Sequence, residues 1–145
     1  MKILIIDDSS EKIGAITKLI QGIEGTNIAV DYSLDLLGGR NKLTKSFYDL
    51  LILDLNIPEQ IGETSSFRAG ADFVDEIIET SKLRKPTDII ILTAFDESAA
   101  AFREKIEHAG FFVLQYNSEE TAWRNSLTSR IEYLLCCRQQ WCKCQ

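Results

Sequence analysis

Three apolar runs in this chain end in groups able to do chemistry. Lys2-Ile3-Leu4-Ile5-Ile6 closes on Asp7 and Asp8, Leu50-Leu51-Ile52-Leu53 closes on Asp54, and Ile89-Ile90-Ile91-Leu92 closes on Thr93. Runs without polar alternation form strands buried on both faces of a parallel sheet. The carboxyl ends of such strands gather at one edge, where open α/β sheets hold their ligands. Three carboxylates then share one small site with a hydroxyl beside them. Two like charges roughly 4 Å apart repel by about 4 kcal/mol at an effective dielectric of about 20, so the cluster calls for a cation. Oxygen-only ligands in a shallow, watery position suit Mg²⁺. A single aspartate after a strand more often caps a helix or turn. An adjacent pair, with a third on another strand end and a hydroxyl nearby, points to a site with Asp54 as its first candidate.

The elements that must position these groups follow the same logic. After the first strand, Ser9 or Ser10 can cap a helix whose inward face is Ile13, Ile16, Leu19, Ile20 and Ile23, and Gly25 ends it. Asn27 to Tyr32 alternates and is expected as a strand toward an edge. A second helix around Leu34, Leu36, Leu37 and Leu43 contains Gly38-Gly39, each costing about 1 kcal/mol relative to alanine, and is expected to be short or irregular. Leu55 to Ala69 has no clear period and contains Pro58, Gly62 and Ser65-Ser66, which predicts a long functional or mobile loop. The helical period returns at Ala71 with Phe73, Val74, Ile77 and Ile78. After the fourth strand, Ser98 to His108 reads as a helix stopped by Gly110, Phe111 to Leu114 as a fifth strand, and Ser118 to about Cys137 as the last helix. Strand and helix alternate five times, which implies α/β architecture with a parallel sheet covered on both faces.

The totals narrow the function classes. The 145 residues suit one domain, residues 1 to 135, followed by a cysteine-containing tail or the start of a connection over 136 to 145. With 16 Lys+Arg against 22 Asp+Glu the formal charge is −6, which disfavours broad nucleic-acid binding. No apolar stretch approaches membrane-spanning length and no targeting segment is visible, so a cytoplasmic location is expected. All four cysteines, Cys136, Cys137, Cys142 and Cys144, lie in the last ten residues, unlike a secreted disulfide framework. Adjacent cysteines followed by C-x-C match no usual zinc pattern, so a frayed helix end is expected, with Trp141 exposed as a contact surface. His108 stands near a helix end, with no partner that would make it catalytic.

The acidic pair Asp7-Asp8, Asp54 followed by Leu55-Asn56-Ile57-Pro58, and Thr93-Ala94 make the chain resemble a receiver domain of the two-component response regulators. The resemblance covers residues 1 to about 135. It implies a doubly wound, flavodoxin/receiver-like sheet in the order 2-1-3-4-5, with two helices on one face and three on the other. It implies a phosphoryl group transferred to Asp54 from a histidine kinase, a phosphotransfer protein or a small phosphodonor. Mg²⁺ would be held by Asp8, Asp54 and the backbone carbonyl of Asn56, with Asp7 assisting. Thr93 would bond a phosphoryl oxygen, and Phe112 would be the aromatic switch on strand five. A homodimer through helix four, strand five and helix five, and a downstream effector protein, would follow. The chain would be a phosphoacceptor signalling domain, not an enzyme, with no catalytic residue beyond that site.

Two departures stand against the family pattern. The family's lysine after strand five is replaced by Gln115, with Tyr116 in place of the usual proline. A neutral amide forgoes on the order of 1 kcal/mol or more of stabilisation toward an added phosphoryl. The loop after Asp54 is also enlarged, and Arg68 is its one cation; a solvated surface arginine is the favoured reading, with a fold over the acidic site in place of the lysine as the alternative. Gln115 supports an alternative, a degenerate receiver acting as a phosphorylation-independent interaction module. A metal-dependent phosphohydrolase is disfavoured, because no general acid or base accompanies the nucleophile at a recognised spacing.

Overall fold

In the computed structural model the chain forms β1 (Lys2–Ile6), α1 (Ser10–Gln21), β2 (Ala29–Ser33), α2 (Leu36–Lys45), β3 (Leu50–Leu53), α3 (Phe67–Glu79), β4 (Asp88–Thr93), α4 (Ala100–His108), β5 (Phe112–Gln115) and α5 (Ala122–Lys143). The structure describes residues 1–25, 27–94 and 96–143, the side chain of Trp141 excepted. The strands make one parallel five-stranded sheet in the order β2-β1-β3-β4-β5, as the family resemblance implies.

Alternation of side-chain direction along the apolar strands builds the two layers. Leu4 and Ile6 of β1, Leu51 and Leu53 of β3, and Ile89 and Ile91 of β4 pack against α2, α3 and α4. Ile3, Ile5, Leu50, Ile52, Ile90 and Leu92 face the other way, against α1 and α5. The central strands are therefore buried on both faces, which is why their sequences show no alternation. The edge strands β2 and β5 are only partly covered.

Four expectations need correction. First, α2 is a regular ten-residue helix despite Gly38-Gly39. A Cβ on Gly39 would stand 2.4 Å from Ile6 Cδ1, and one on Gly38 2.3 Å from Ser33 Oγ. The glycines let this helix lie close on β1 and β2, and the packing offsets their low propensity. Second, α3 begins at Phe67 rather than Ala71, with Ser66 as N-cap accepting from Ala69 N at 3.1 Å.

Third, the loop after β3 is pinned to its surroundings. Pro58 and Glu59 carbonyls accept from Leu36 N (3.1 Å) and Leu37 N (3.0 Å), and Ile57 pairs with Ser66 in an antiparallel bridge. Asp35 caps α2 through Gly38 N at 2.7 Å and holds the loop through Ile61 N at 3.0 Å. Arg40 joins Glu59 of the loop to Glu76 of α3.

Fourth, α5 begins at Ala122 rather than Ser118 and continues through Cys136, Cys137 and Cys142 to Lys143 without fraying. Asp88 pairs with Arg130 at 2.7 Å, and Asp49 with Arg138, tying the helix to the amino ends of the sheet. These three cysteines are free thiols, and none joins a candidate metal group among the described residues. The expectations for Trp141 and Cys144 fall outside the described residues. No described helix is long and apolar enough to cross a membrane.

Candidate functional site

Parallel register brings the three strand ends together. Asp54 N donates to Ile6 O at 2.9 Å, and Asp7 N donates to Ser33 O at 3.0 Å, so the residues just past β1 and β3 stay side by side. Asp7, Asp8 and Asp54 each offer a carboxylate oxygen, all within 4.8 Å of one another. Thr93, fully buried at the end of β4, donates from Oγ1 to Asp54 Oδ1 at 2.5 Å, and Asn56 N donates to the same oxygen at 3.0 Å. The predicted Asp7, Asp8, Asp54 and Thr93 therefore do meet, and Asn56 lies beside them on the loop.

The cation in this site is Lys12, which sequence reasoning missed. Ser9 is the N-cap of α1, accepting from Lys12 N at 3.2 Å while its own N–H donates to Asp7 Oδ1 at 2.9 Å. This tight entry into the helix turns the first-turn lysine back over the strand ends. Its Nζ stands 2.7 Å from Asp7 Oδ2 and 3.1 Å from Asp54 Oδ2, and donates to Leu92 O. The Tyr116 ring covers it, with Nζ 5.0 Å from the ring centroid. The side chains of Lys12 and Asp7 are only 5% and 2% exposed, a degree of burial charges sustain only when paired and hydrogen-bonded.

One sequence signal could have found it. Lys12 stands at the head of the stripe Lys12, Ile16, Ile20, spaced as the inward face of α1, where an outward-facing lysine would break the period.

Burial also acts on Asp7, whose carboxyl is pushed up to about 6. Loss of water is the main cause and the neighbouring Asp54 charge adds to it, while Lys12 and the Ser9 N–H oppose them. Asp8 is exposed, and its Oδ2 accepts from Ser65 Oγ of the loop at 2.9 Å. The loop thus reaches the site through a serine rather than through Arg68.

Three other expected residues lie elsewhere. Arg68 is exposed on α3, with no ion pair or hydrogen bond to Asp54, which agrees with the solvated arginine favoured from sequence and not with a cover for the site. The helix that carries it lies against the Leu55 backbone at Gly70, where a Cβ would stand 2.3 Å from Leu55 O. Gln115 pairs in register with Thr93 but is exposed, and its side chain makes no hydrogen bond to the acidic cluster. Phe112 is 51% exposed, at the far end of β5 opposite Ile90, with the Arg130 guanidinium 4.7 Å from its ring centroid.

The donor set fits Mg²⁺: hard oxygens from three aspartates converge, and among the described residues no cation pairs with Asp8. Lys12 shares Asp7 and Asp54 with any ion held there. One ammonium against three carboxylates leaves an excess of two negative charges, which a divalent ion would balance.

Comparison with known proteins agrees with this arrangement. The family model of the response regulator receiver domain matches residues 3–123. The chain is 29% identical over 134 residues to the uncharacterized protein y4jS of Sinorhizobium fredii, covering 92% of this chain and 32% of that protein. It is 30% identical over 99 residues to the sensory transduction protein LytR of Staphylococcus haemolyticus, covering 68% of this chain and 34% of LytR. The chain thus spans about one third of the length of these curated relatives. Among solved structures, a signal receiver domain from Clostridium thermocellum superposes with a TM-score of 0.71 at 15% identity, covering 92% of this chain and 96% of that one. The response regulator TrrA of Thermotoga maritima, solved in complex with Mg²⁺ and BeF, gives 0.63 at 22% identity, covering 92% and 97%. At these identities the structural likenesses speak for the fold, and the match across residues 3–123 speaks for the family: the chain belongs to the receiver domains of response regulators.

Proposed function

We propose that this receiver domain accepts a phosphoryl group on Asp54 in a Mg²⁺-dependent reaction, from a histidine kinase or phosphotransfer protein, and signals through the resulting change of its surface. The observation that carries this reading is the convergence of Asp7, Asp8 and Asp54 oxygens within 4.8 Å, with the Thr93 hydroxyl on Asp54. Asp7, Asp8, Asp54 and the Asn56 carbonyl are the groups that would hold the metal. When bound, Mg²⁺ supplies positive charge against the oxygens of the transferred group.

The rest of the chemistry belongs to the chain. An Asp54 carboxylate oxygen attacks phosphorus in line; the new O–P bond forms as the bond to the donor breaks, a P–N bond of phosphohistidine or a P–O bond of acetyl phosphate. The leaving imidazole is neutral when protonated from solvent on its other nitrogen, and acetate leaves as the anion. Thr93, already donating to Asp54, is placed to donate to a phosphoryl oxygen instead.

Incubation with acetyl phosphate and Mg²⁺, followed by intact mass, tests the reading. One phosphoryl adduct, lost with EDTA and lost in Asp54→Asn, is expected. A wild-type chain that gains no mass while remaining folded refutes it.

A further inference from the structure

We propose that Lys12 is a catalytic cation of this site: it hydrogen-bonds Asp54 before reaction and, once Asp54 is phosphorylated, hydrogen-bonds the phosphoryl group, carrying the change to Tyr116 and the start of α5. The proposal rests on the reading of Asp54 as phosphoacceptor.

The argument begins with the hydrogen-bond count. An ammonium has three N–H donors, and Lys12 directs them to Asp7 Oδ2, Asp54 Oδ2 and Leu92 O. Among the described residues it alone forms an ion pair with this acidic cluster. Phosphorylation turns the Asp54 carboxylate into the uncharged acyl part of a mixed anhydride and places about two negative charges on phosphoryl oxygens just beyond it. A buried ammonium gains by following that charge, since it has little water to fall back on. The donor released from Asp54 finds phosphoryl oxygens in front of it, and the bonds to Asp7 and Leu92 keep the side chain at the site.

Movement of Nζ cannot leave its cover unchanged. The Tyr116 ring lies against Lys12, and its centroid is 5.1 Å from that of Trp123. Trp123 is buried at the start of α5, with Nε1 donating to Asn117 O at 3.0 Å. Tyr116 N also donates to the Thr93 carbonyl at 2.9 Å, so Tyr116 is joined through the backbone to the residue whose hydroxyl meets Asp54. A path of direct contacts thus runs from Asp54 through Lys12 and Tyr116 to α5, separate from the exposed Phe112.

The test compares the full chain, Lys12→Met and Lys12→Gln, each carrying Trp141→Phe so that Trp123 alone reports. Mg²⁺ is titrated alone by fluorescence, and phosphoryl gain from acetyl phosphate is followed by mass. Both variants are expected to gain phosphoryl about tenfold or more slowly while binding Mg²⁺ at least as tightly as the parent, because a competing cation has left Asp7 and Asp54. Modification at the parent rate overturns the proposal. So does a loss of Mg²⁺ binding that parallels the loss of rate, which would make Lys12 only a brace for the carboxylates. A parent chain that gains no mass removes the phosphoacceptor reading itself, and the proposal with it. A measurement without mutation guards against misfolded variants: the ¹⁵N-lysine ammonium signal of Lys12 should shift when beryllofluoride is added to the Mg²⁺-loaded protein, and an unmoved signal overturns the proposal.

Discussion

Lys12 and Asp54 are 42 positions apart in the chain, and Lys12 Nζ lies 3.1 Å from Asp54 Oδ2. This contact puts a cation at the Asp54 carboxylate from the first helix, while Gln115 at the end of β5 is exposed. The Asn56 N–H and the Thr93 hydroxyl occupy the other Asp54 oxygen, so the carboxylate is held from two sides with 12% of its side chain still exposed. The alternative of a phosphorylation-independent module draws its support from Gln115, and Lys12 weakens that support by supplying charge at the site from another element.

Removing the ammonium should expose the cost of the cluster. In the metal-free protein, Lys12→Met is expected to destabilise by about 3–5 kcal/mol, the range for breaking a buried ion pair. Adding Asp7→Asn should recover part of that loss, because it removes one of the charges left unpaired. Urea denaturation in EDTA checks both, and strict additivity of the two substitutions would contradict their direct coupling.

Asp7 imposes a pH dependence of defined sign. Its carboxyl is raised from 3.8 to about 6 in the folded chain, chiefly by burial. Below 3.8 both folded and unfolded forms are protonated and the Asp7 contribution to stability is fully present. As pH rises, the unfolded chain ionises first, so that contribution declines and is lost once pH passes about 6. The metal-free wild type should thus lose up to about 3 kcal/mol relative to Asp7→Asn between roughly pH 4 and pH 7. Urea midpoints of the two proteins across that range provide the check.

Two glycine substitutions should act in opposite directions. Gly14 lies within α1, and a Cβ added there would meet nothing within 4 Å, so Gly14→Ala is expected to stabilise by about 0.5–1 kcal/mol. A Cβ on Gly70 would meet Leu55 O at 2.3 Å and Leu55 Cα at 2.5 Å, backbone atoms that cannot swing aside. Gly70→Ala should cost about 1–3 kcal/mol. Thermal unfolding of the pair decides, and equal shifts would mean that the α3–β3 approach is looser than described.

Asp35 joins the enlarged loop to the fold, capping α2 through Gly38 N and accepting from Ile61 N. Asp35→Ala should therefore cost about 1–2 kcal/mol from the lost cap. It should also speed amide exchange at Ile61 well beyond that at Leu51 in β3. Unchanged exchange at Ile61 would show that Arg40 and the Ile57–Ser66 bridge suffice to order the loop.

The sequence by itself determined the layers and the acidic half of the site. Apolar runs such as Leu50 to Leu53 can be satisfied only between two covering layers, and in a parallel sheet the groups that follow them must share one edge, so Asp7, Asp8, Asp54 and Thr93 were placed by pattern alone. The cation was decided by tertiary structure. A lysine's reach depends on how the Ser9 cap aims the first turn of α1 and on which carbonyl lies opposite, and Leu92 belongs to a strand 80 positions away. Local propensity likewise misjudged Gly38-Gly39 and residues 55–66, because contact with Ile6 and hydrogen bonds accepted by Asp35 compensate what those segments lack on their own. Strand ends follow from short-range periodicity, whereas the partners of a buried charge follow from three-dimensional proximity, which a linear pattern does not encode.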